Sequence, residues 1–333
     1  MKKIFITGTA GFIGFHLAKK LLEQGCIVHG FDCISDYYDV ALKKKRHEIL
    51  SNFDSFSYTV ERLEDLDKLQ KTIDNFSPQV IVHLAAQAGV RHSLENPKKY
   101  IDSNIVGTFN LLEVVKEQKL DHLLMASTSS VYGSNKEMPF KETQKCDTPL
   151  SMYAATKKAN EVMAHSYAYT DNIPVTMFRF FTVYGTWGRP DLALFKFVDA
   201  ILDNNPIDIY NNGEMYRDFT HVDDLTSSII GLIEEIPNKD KPIMGDSLSD
   251  IAPFRIVNIG RSEKIHLMDF IEEIEIVLNK KAIKNFMPMQ MGDVSSTWAD
   301  ISLAENLTGI KPSISYKQGI KEFIEWFRDY YQK

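Results

Sequence analysis

The chain has few cysteines, no long apolar run and no excess of basic residues. Its three cysteines, Cys26, Cys33 and Cys146, are odd in number and lack metal-ligand spacing, which predicts neither a disulfide framework nor a metal site and favours a reducing, cytoplasmic location. Glycines interrupt the apolar N-terminus and no segment offers the roughly 20 apolar residues of a membrane span, so neither a secretory signal nor a membrane anchor is expected. Lys and Arg number 38 against 45 Asp and Glu and are scattered. Nucleic acid and anionic membranes are therefore excluded as expected partners.

What the chain does have is a regular alternation of apolar runs and helical patterns. Its 333 residues are 44% hydrophobic and 25% charged, enough material for a large core. This rhythm predicts an α/β fold, a Rossmann-type doubly wound parallel sheet with a smaller C-terminal substrate-binding lobe. Strands are predicted at 3–8, 27–32, 56–60, 80–86, 122–128, 175–181 and 255–260, and helices at 13–24 and 104–118. We expect residues 1–189 to form the main domain, with 215–235 and 255–270 returning to it, and 190–333 to form mainly the smaller lobe.

A glycine-rich loop joins the first predicted strand to the first helix. Gly8, Gly11 and Gly14 allow a tight turn and a close approach to a pyrophosphate, and the helix that opens at Phe12 and Ile13 supplies N–H donors. Asp32 ends the second predicted strand, where a carboxylate accepts hydrogen bonds from a ribose diol and repels a 2′-phosphate. The loop therefore predicts NAD as the cofactor.

"PLSMYAATKKANE", residues 149–161, places Tyr153 and Lys157 one helical turn apart. The spacing alone suits a solvated surface pair as well as a catalytic pair.

The order of the motifs resembles the extended short-chain dehydrogenase/reductase family. The resemblance rests on Gly-x-x-Gly-x-x-Gly, "HLAA" at 83–86, "SNIVGT" at 103–108, "STSSVYG" at 127–133 and Tyr-x-x-x-Lys, and it covers nearly the whole chain. It implies that Tyr153, Lys157 and Thr128 are catalytic. It also implies a further set of cofactor-binding residues, Leu63, Leu84, Ala85, Ala86 and Asn104. Arg62 stands where many relatives hold adenine with an Asp, so adenine recognition falls to backbone atoms or to Asp65.

The implied chemistry is oxidation of a sugar hydroxyl. A phenol with a pKa near 10 is a poor base at neutral pH, and the Lys157 ammonium and the positive nicotinamide both favour its anion. Related dehydratases and decarboxylases carry carboxylates next to the strand-end threonine, whereas this chain has Ser129 and Ser130. The resemblance therefore favours a 4-epimerase, which oxidises C4 and then reduces the 4-keto sugar from the opposite face.

Three longer stretches resemble the UDP-glucuronate 4-epimerases: "SDYYDVALKKKR" (35–46), "HLAAQAGVRHSLENP" (83–97) and "RFFTVYGTWGRPD" (179–191). The resemblance implies conversion of UDP-glucuronate to UDP-galacturonate, as part of polysaccharide biosynthesis. Arg189 and Arg91 suit a hexuronate carboxylate, although a helix-start contact and a loop cation are the plain structural alternatives. The full set of implied substrate-binding residues is Gln87, Arg91, Ser129, Ser130, Thr182, Arg189, Tyr210, Arg217 and Asp293.

Two of these residues have open alternatives. Arg217 suits a diphosphate but could equally be a surface arginine, and Asp293 lacks the arginine that some relatives carry three residues earlier, where this chain has Gln290.

Competing functions also stay open. They are a UDP-glucose or UDP-N-acetylhexosamine 4-epimerase, an epimerase of an N-acetylated hexuronate, and a non-catalytic NAD-binding sensor or scaffold. The family resemblance further implies a homodimer, in which the helices near 104–118 and 153–169 form a four-helix bundle.

Overall fold

A seven-stranded parallel sheet forms the centre of the fold in the computed structural model, which describes residues 1–238 and 240–333. The strands are β1 (Lys3–Thr7), β2 (Ile27–Asp32), β3 (Phe56–Val60), β4 (Val80–His83), β5 (His122–Ala126), β6 (Val175–Phe180), β7 (Thr182–Tyr184), β8 (Pro206–Ile209), β9 (Tyr216–Arg217), β10 (Phe219–His221), β11 (Phe254–Ile259), β12 (Ile265–His266), β13 (Ile283–Phe286) and β14 (Ser296–Thr297). The central sheet has the order β11-β6-β5-β4-β1-β2-β3. Its order reverses between β1 and β4, which opens a crevice at the carboxyl ends of the strands. The predicted Rossmann-type α/β fold is confirmed.

Some of the helices cover both faces of this sheet, and others pack outside it. They are α1 (Phe12–Glu23), α2 (Val40–Leu50), α3 (Leu66–Phe76), α4 (Val90–Glu95), α5 (Pro97–Tyr100), α6 (Gly107–Val115), α7 (Met152–Thr170), α8 (Ala193–Leu202), α9 (Val222–Glu234), α10 (Leu267–Leu278), α11 (Ser302–Thr308) and α12 (Tyr316–Tyr331). Side chains alternate along β1, so Ile4 and Ile6 face one apolar cluster and Phe5 faces the other. The first cluster includes α1 and α9, and the second includes α3, α6 and α7.

A third apolar cluster lies outside the central sheet. It is built from α8, β8, α10 and α12, with Phe195, Phe270 and Phe323 among its buried side chains. Two short β-ladders flank it: β13 pairs with β8, and β9 lies between β12 and β14. Arg217 of β9 and Thr297 of β14 line the cavity described below.

Several predicted elements have different bounds in the structure. The strand predicted at 80–86 stops at His83, because the backbone N–H groups of Leu84 and Ala85 donate to the Thr7 hydroxyl at 3.1 and 3.0 Å. The helix predicted at 104–118 instead starts as a π-helical turn, Ile101–Val106, and continues as α6. The wider turn places Asn104 against the segment after β4.

In residues 1–238 and 240–333, no helix combines the length and apolar character needed to cross a membrane.

Candidate active site

The glycine loop opens α1 at the floor of a cavity of about 540 Å³. Gly8 has a φ of +86°, and a Cβ at Gly14 would lie 2.1 Å from the Gly8 carbonyl oxygen, so side chains are excluded at both positions. No side chain caps α1 at Gly11, which leaves the first-turn N–H groups facing the cavity for an anion. The loop geometry fits the pyrophosphate of a dinucleotide.

Asp32 lies beside this loop at the end of β2. Its carboxylate accepts hydrogen bonds from the backbone N–H of Ala10 at 2.9 Å and of Ile34 at 2.8 Å. These bonds orient a charged oxygen acceptor at the wall of the cavity, as a ribose diol requires.

Arg62, Leu63 and Glu64 line the far end of the cavity on the side of β3. The Arg62 guanidinium donates to Glu64 at 2.8 Å, and the Leu63 carbonyl accepts from the Asn110 amide at 3.0 Å. Asp65 instead caps α3 by accepting from the backbone N–H of Lys68 at 3.0 Å, and it is not among the lining residues. Of the two alternatives for adenine, this placement favours backbone atoms over Asp65.

Tyr153, Lys157 and Thr128 all line this cavity. Ser151 caps α7 by accepting from the Ala154 N–H at 3.2 Å, which starts the helix just before the tyrosine. Burial raises the pKa of Tyr153, while Thr128 and the positive charge of Arg189 act in the opposite direction. Burial lowers the pKa of Lys157 to about 8, and the Glu161 carboxylate opposes this change.

Two buried polar networks support these three residues from behind. Thr7 accepts two backbone N–H groups, so its proton goes to Nδ1 of His83 at 2.8 Å, and Nε2–H of His83 donates to Thr108 at 3.0 Å. Burial lowers the pKa of His83 to about 3, so the ring stays neutral.

The second network joins α7 to β5 and β6. Glu161 accepts two hydrogen bonds from Arg179, at 2.8 and 2.9 Å, and one from Ser127 at 2.6 Å. Burial alone raises the pKa of Glu161, but the Arg179 charge and hydrogen bonds outweigh it and keep that pKa below its usual range. The carboxylate therefore holds the residue next to Thr128 while placing a negative charge one helical turn from Lys157.

Most of the predicted site residues line this single cavity. Those brought together are Gly8, Gly11, Phe12, Ile13, Gly14, Asp32, Leu63, Leu84, Ala85, Ala86, Gln87, Thr128, Ser129, Ser130, Tyr153, Lys157, Thr182, Arg189, Arg217 and Asp293. Asn104, Arg91 and Tyr210 are not lining residues.

Asn104 is fully buried behind the wall. Its amide oxygen accepts from the Gln87 N–H at 2.7 Å, and its Nδ2 donates to the Gln87 carbonyl at 3.1 Å and to Thr156 at 3.1 Å. Asn104 thus holds the lining segment after β4 in place.

Arg91 has a carboxylate partner within the protein. Its Nη2 donates to Asp293 at 3.0 Å, and its guanidinium lies over the Tyr210 ring, 4.1 Å from the ring centre. Arg217 is different, since its Nη1 donates to the carbonyls of Tyr216 at 2.9 Å and Ser295 at 3.4 Å, and burial lowers its pKa. Arg217 is half-buried at the cavity wall, where its guanidinium can bind a phosphate, so it is not a plain surface arginine of an exposed loop.

Sequence reasoning missed a set of lining residues in the segment after β2. Tyr37, Tyr38 and Lys43 line the cavity, and the fully buried Arg46 donates to the Ala10 and Trp187 carbonyls at 2.7 and 2.6 Å. Their segment was singled out only by its resemblance to known epimerases. No local pattern indicated that it reaches across to residue 187.

Comparison with known proteins places these features in context. A protein-family model described as GDP-mannose 4,6 dehydratase matches residues 5–323. A protein of Rhizobium meliloti described as a probable UDP-glucuronate 4-epimerase is 51% identical over 99% of this chain and 98% of its own. UDP-glucuronate 4-epimerase 1 of Arabidopsis thaliana is 40% identical, covering 98% of this chain and 77% of its own. The crystal structure of a UDP-glucuronic acid 4-epimerase from Bacillus cereus, in complex with UDP-glucuronic acid and NAD, matches with a TM-score of 0.89 and 34% identity over 99% of this chain and 100% of that one.

Proposed function

This chain belongs to the family described as GDP-mannose 4,6 dehydratase, and from that membership and its site we propose that it is an isomerase, an NAD-dependent 4-epimerase that converts UDP-glucuronate to UDP-galacturonate. The observation that carries the proposal is one cavity that contains Tyr153, Lys157 and Thr128 together with Arg189. The first three suit oxidation of a hydroxyl group, and the arginine suits a carboxylate.

The tyrosine acts as the base for the C4 hydroxyl. Its pKa is raised by burial in the free chain, so the phenolate depends on nearby positive charge. Lys157, with a pKa of about 8, is mostly protonated at neutral pH and supplies that charge. When bound, NAD supplies the oxidant for C4 and then the reductant for the resulting ketone. Tyr153 returns its proton to the oxygen in the second half of the reaction.

The same site disfavours dehydration, although the family description names a dehydratase. Dehydration needs additional acid and base groups next to the strand-end threonine, and this chain has Ser129 and Ser130 there. Serine hydroxyls donate and accept hydrogen bonds but do not titrate near neutral pH. The site therefore suits oxidation of C4 followed by reduction of the resulting ketone.

A hexuronate places a constraint on this enzyme. A 4-keto hexuronate is a β-keto acid, which loses CO₂ when the C5–C6 bond stands perpendicular to the carbonyl plane. We propose that Thr182, Ser129, Ser130 and Arg189 hold the carboxylate in one orientation and so prevent that alignment. All four residues line the same cavity as Tyr153, so they can contact the sugar carboxylate while the ring rotates about its diphosphate.

The UDP moiety has a separate set of contacts in this proposal. The desolvated guanidinium of Arg217 binds the diphosphate, and Asp293 contacts the ribose of the nucleotide. The Arg91 side chain bridges Asp293 and Tyr210, which orders the mouth of the cavity where the base enters.

The test is a product assay by NMR. The chain is incubated in parallel with UDP-glucuronate, UDP-glucose, UDP-N-acetylglucosamine and an N-acetylated UDP-hexuronate. The proposal expects UDP-galacturonate as the main product with no net accumulation of NADH. Faster turnover of a neutral sugar would favour the UDP-glucose or UDP-N-acetylhexosamine alternative. Bound NAD without turnover of any sugar would favour a sensor or scaffold.

We also propose a homodimer. Exposed apolar side chains occur in pairs on one helix face, Val106 with Phe109 and, on α7, Val162 with Tyr169.

We further propose a division into two lobes. The apolar clusters of the central sheet include α9 and β11, which supports an NAD-binding domain of 1–189 to which parts of 215–235 and 255–270 return. Phe219 and Phe270 instead belong to the third cluster, which supports a nucleotide-sugar lobe made mainly of 190–333.

The cellular role follows from the product's chemistry. An activated galacturonate is a donor for glycosyl transfer, so we propose that the enzyme acts in the cytoplasm and supplies polysaccharide biosynthesis.

A further inference from the structure

The Arg189 side chain is held by a partner that sequence reasoning did not identify. Its Nε donates to Oδ1 of Asp191 at 2.9 Å, and its Nη2 donates to Oδ2 of the same carboxylate. Burial raises the pKa of Asp191, but the charge and hydrogen bonds of Arg189 outweigh burial and keep it below its usual range. The pair is therefore ionic and bidentate.

This pairing uses only one edge of the guanidinium. An arginine has five N–H donors in a planar fork, and the edge between Nη1 and Nη2 keeps one hydrogen on each of these two nitrogens. Across residues 1–238 and 240–333, no other hydrogen bond engages that edge. A second planar acceptor, such as a substrate carboxylate, can bind there in a plane that Asp191 sets.

Contacts from the segment after β2 also hold the pair. The Tyr37 hydroxyl donates to Oδ2 of Asp191 at 3.3 Å, and the Arg189 guanidinium lies 6.0 Å from the Tyr37 ring centre. Burial raises the pKa of Tyr37 to about 12, which keeps it a proton donor at neutral pH. Arg46 fixes the preceding backbone through the Trp187 carbonyl. The guanidinium is thus constrained at its side chain and at its backbone.

We propose that Asp191, supported by Tyr37, is a positioning residue that sets the plane of Arg189 and thereby controls whether the oxidised substrate is epimerised or decarboxylated. This inference rests on the function proposed above. Asp191 does not bind the substrate, because its carboxylate would repel the hexuronate. The negative charge of Asp191 weakens the attraction between Arg189 and the substrate carboxylate. The same pairing fixes the orientation of the Arg189 guanidinium.

The side reaction balances without a further reactant. In the 4-keto hexuronate the C5–C6 bond breaks and its electron pair moves to C5 and the C4 carbonyl, forming an enolate and releasing CO₂. The enolate then takes one proton at C5 and becomes a 4-keto pentose. The hydride removed from C4 stays on the cofactor, so each such event leaves one NADH.

The experiment compares the parent protein with Asp191→Asn and Tyr37→Phe, each with NAD bound and UDP-glucuronate as substrate. Released CO₂, NADH and UDP-4-keto-pentose are measured against UDP-galacturonate. Asp191→Asn should raise the ratio of decarboxylation to epimerisation by about tenfold to a hundredfold, the scale expected for a small misplacement. Tyr37→Phe, which removes one hydroxyl, should raise it by a smaller factor.

Separate effects on KM and kcat distinguish a positioning role of Asp191 from a merely structural one. Because Asp191→Asn removes a negative charge beside the cation, KM for UDP-glucuronate should stay level or fall while kcat falls. Affinity for UDP-glucose, measured by calorimetry, should not change. Asp191→Glu should recover part of the parental product ratio.

Asp246 provides the matched control. Its carboxylate accepts two hydrogen bonds from Arg255, at 2.8 and 2.9 Å, in a bidentate pair that is more deeply buried than Arg189–Asp191 and does not line the cavity. Asp246→Asn should lower the melting temperature and leave the product ratio at the parental value.

The possible outcomes separate the two proposals. A parent that forms UDP-galacturonate, with the parental product ratio in both Asp191→Asn and Tyr37→Phe, overturns the role of Asp191 alone. A parent that forms none overturns the proposed function. If Asp191→Asn does not fold, the product ratio of Tyr37→Phe is used instead, and a parental ratio in that variant overturns the role of Asp191.

Discussion

Replacing Lys157 by methionine should stabilise the folded chain when no cofactor is bound. Lys157 is 2% exposed and lines the cavity. Burial lowers its pKa from the ordinary 10.5 to about 8, with Glu161 only partly opposing the effect. One pKa unit corresponds to about 1.4 kcal/mol, so the buried ammonium costs the folded state roughly 3 kcal/mol below pH 8.

The sign of the pH dependence follows from proton binding. Below about pH 8 the folded and unfolded states both keep the proton, and the full cost is present. Between about pH 8 and 10.5 the unfolded state binds more protons than the folded state, so the parent gains stability relative to the variant as the pH rises. Lys157→Met should therefore be more stable by roughly 3 kcal/mol at about pH 7, and the advantage should shrink towards about pH 10.

The assay is urea unfolding of the NAD-stripped protein, followed by tryptophan fluorescence at both pH values. Lys119→Met, on the surface, is the control and should stay within about 0.5 kcal/mol of the parent throughout. A variant that is less stable than the parent at about pH 7, or a difference that does not change with pH, would refute the assignment of a desolvated ammonium. If the prediction is confirmed, the Lys157 ammonium destabilises the folded chain, as expected of a residue that is kept for its role in the reaction.

Three further predictions concern the site and its assembly. Tyr153→Phe should abolish epimerisation while NAD and UDP-sugar affinities, measured by calorimetry, change less than about threefold, because only the proton acceptor is lost; an unfolded variant would instead indicate a structural tyrosine. Arg189→Ala should weaken UDP-glucuronate binding about tenfold to a hundredfold and release CO₂ and a 4-keto-pentose nucleotide, whereas Arg189→Lys should recover only part of the affinity, since a point charge cannot hold both oxygens in one plane. Parental turnover without pentose in the alanine variant would contradict carboxylate recognition. Val162→Glu should shift the sedimentation of the protein from dimer to monomer, and an unchanged dimer would place the interface elsewhere.

The sequence determined those features that depend on neighbouring residues. The alternation of strand and helix patterns follows from local propensity and periodicity, and it predicted the parallel sheet. Gly8, Gly14 and Asp32 could be assigned because a loop, a helix start and a strand end lie within one βαβ unit. Tyr153 and Lys157 could be paired because four residues make one helical turn.

Element boundaries were less predictable, because side chains from distant strands compete for backbone groups. The Thr7 hydroxyl ends β4 by accepting two N–H groups that an apolar pattern assigns to a strand. The π-helical turn at Ile101–Val106 likewise has no period of its own in the sequence. Both depend on which segments the sheet order brings together.

The tertiary structure alone decided how the charged residues are partnered. The sequence indicated Arg189 and Arg91 as equivalent candidates for a carboxylate, but Arg91 pairs with Asp293, 202 residues away. Arg189 pairs with Asp191, and Tyr37 approaches that pair from 154 residues away. No local rule relates such positions, since their distance depends on the strand order of the central sheet and on the crossover between β1 and β4. A residue's type predicts which partners it can take, and only the folded chain determines which of them lies within reach.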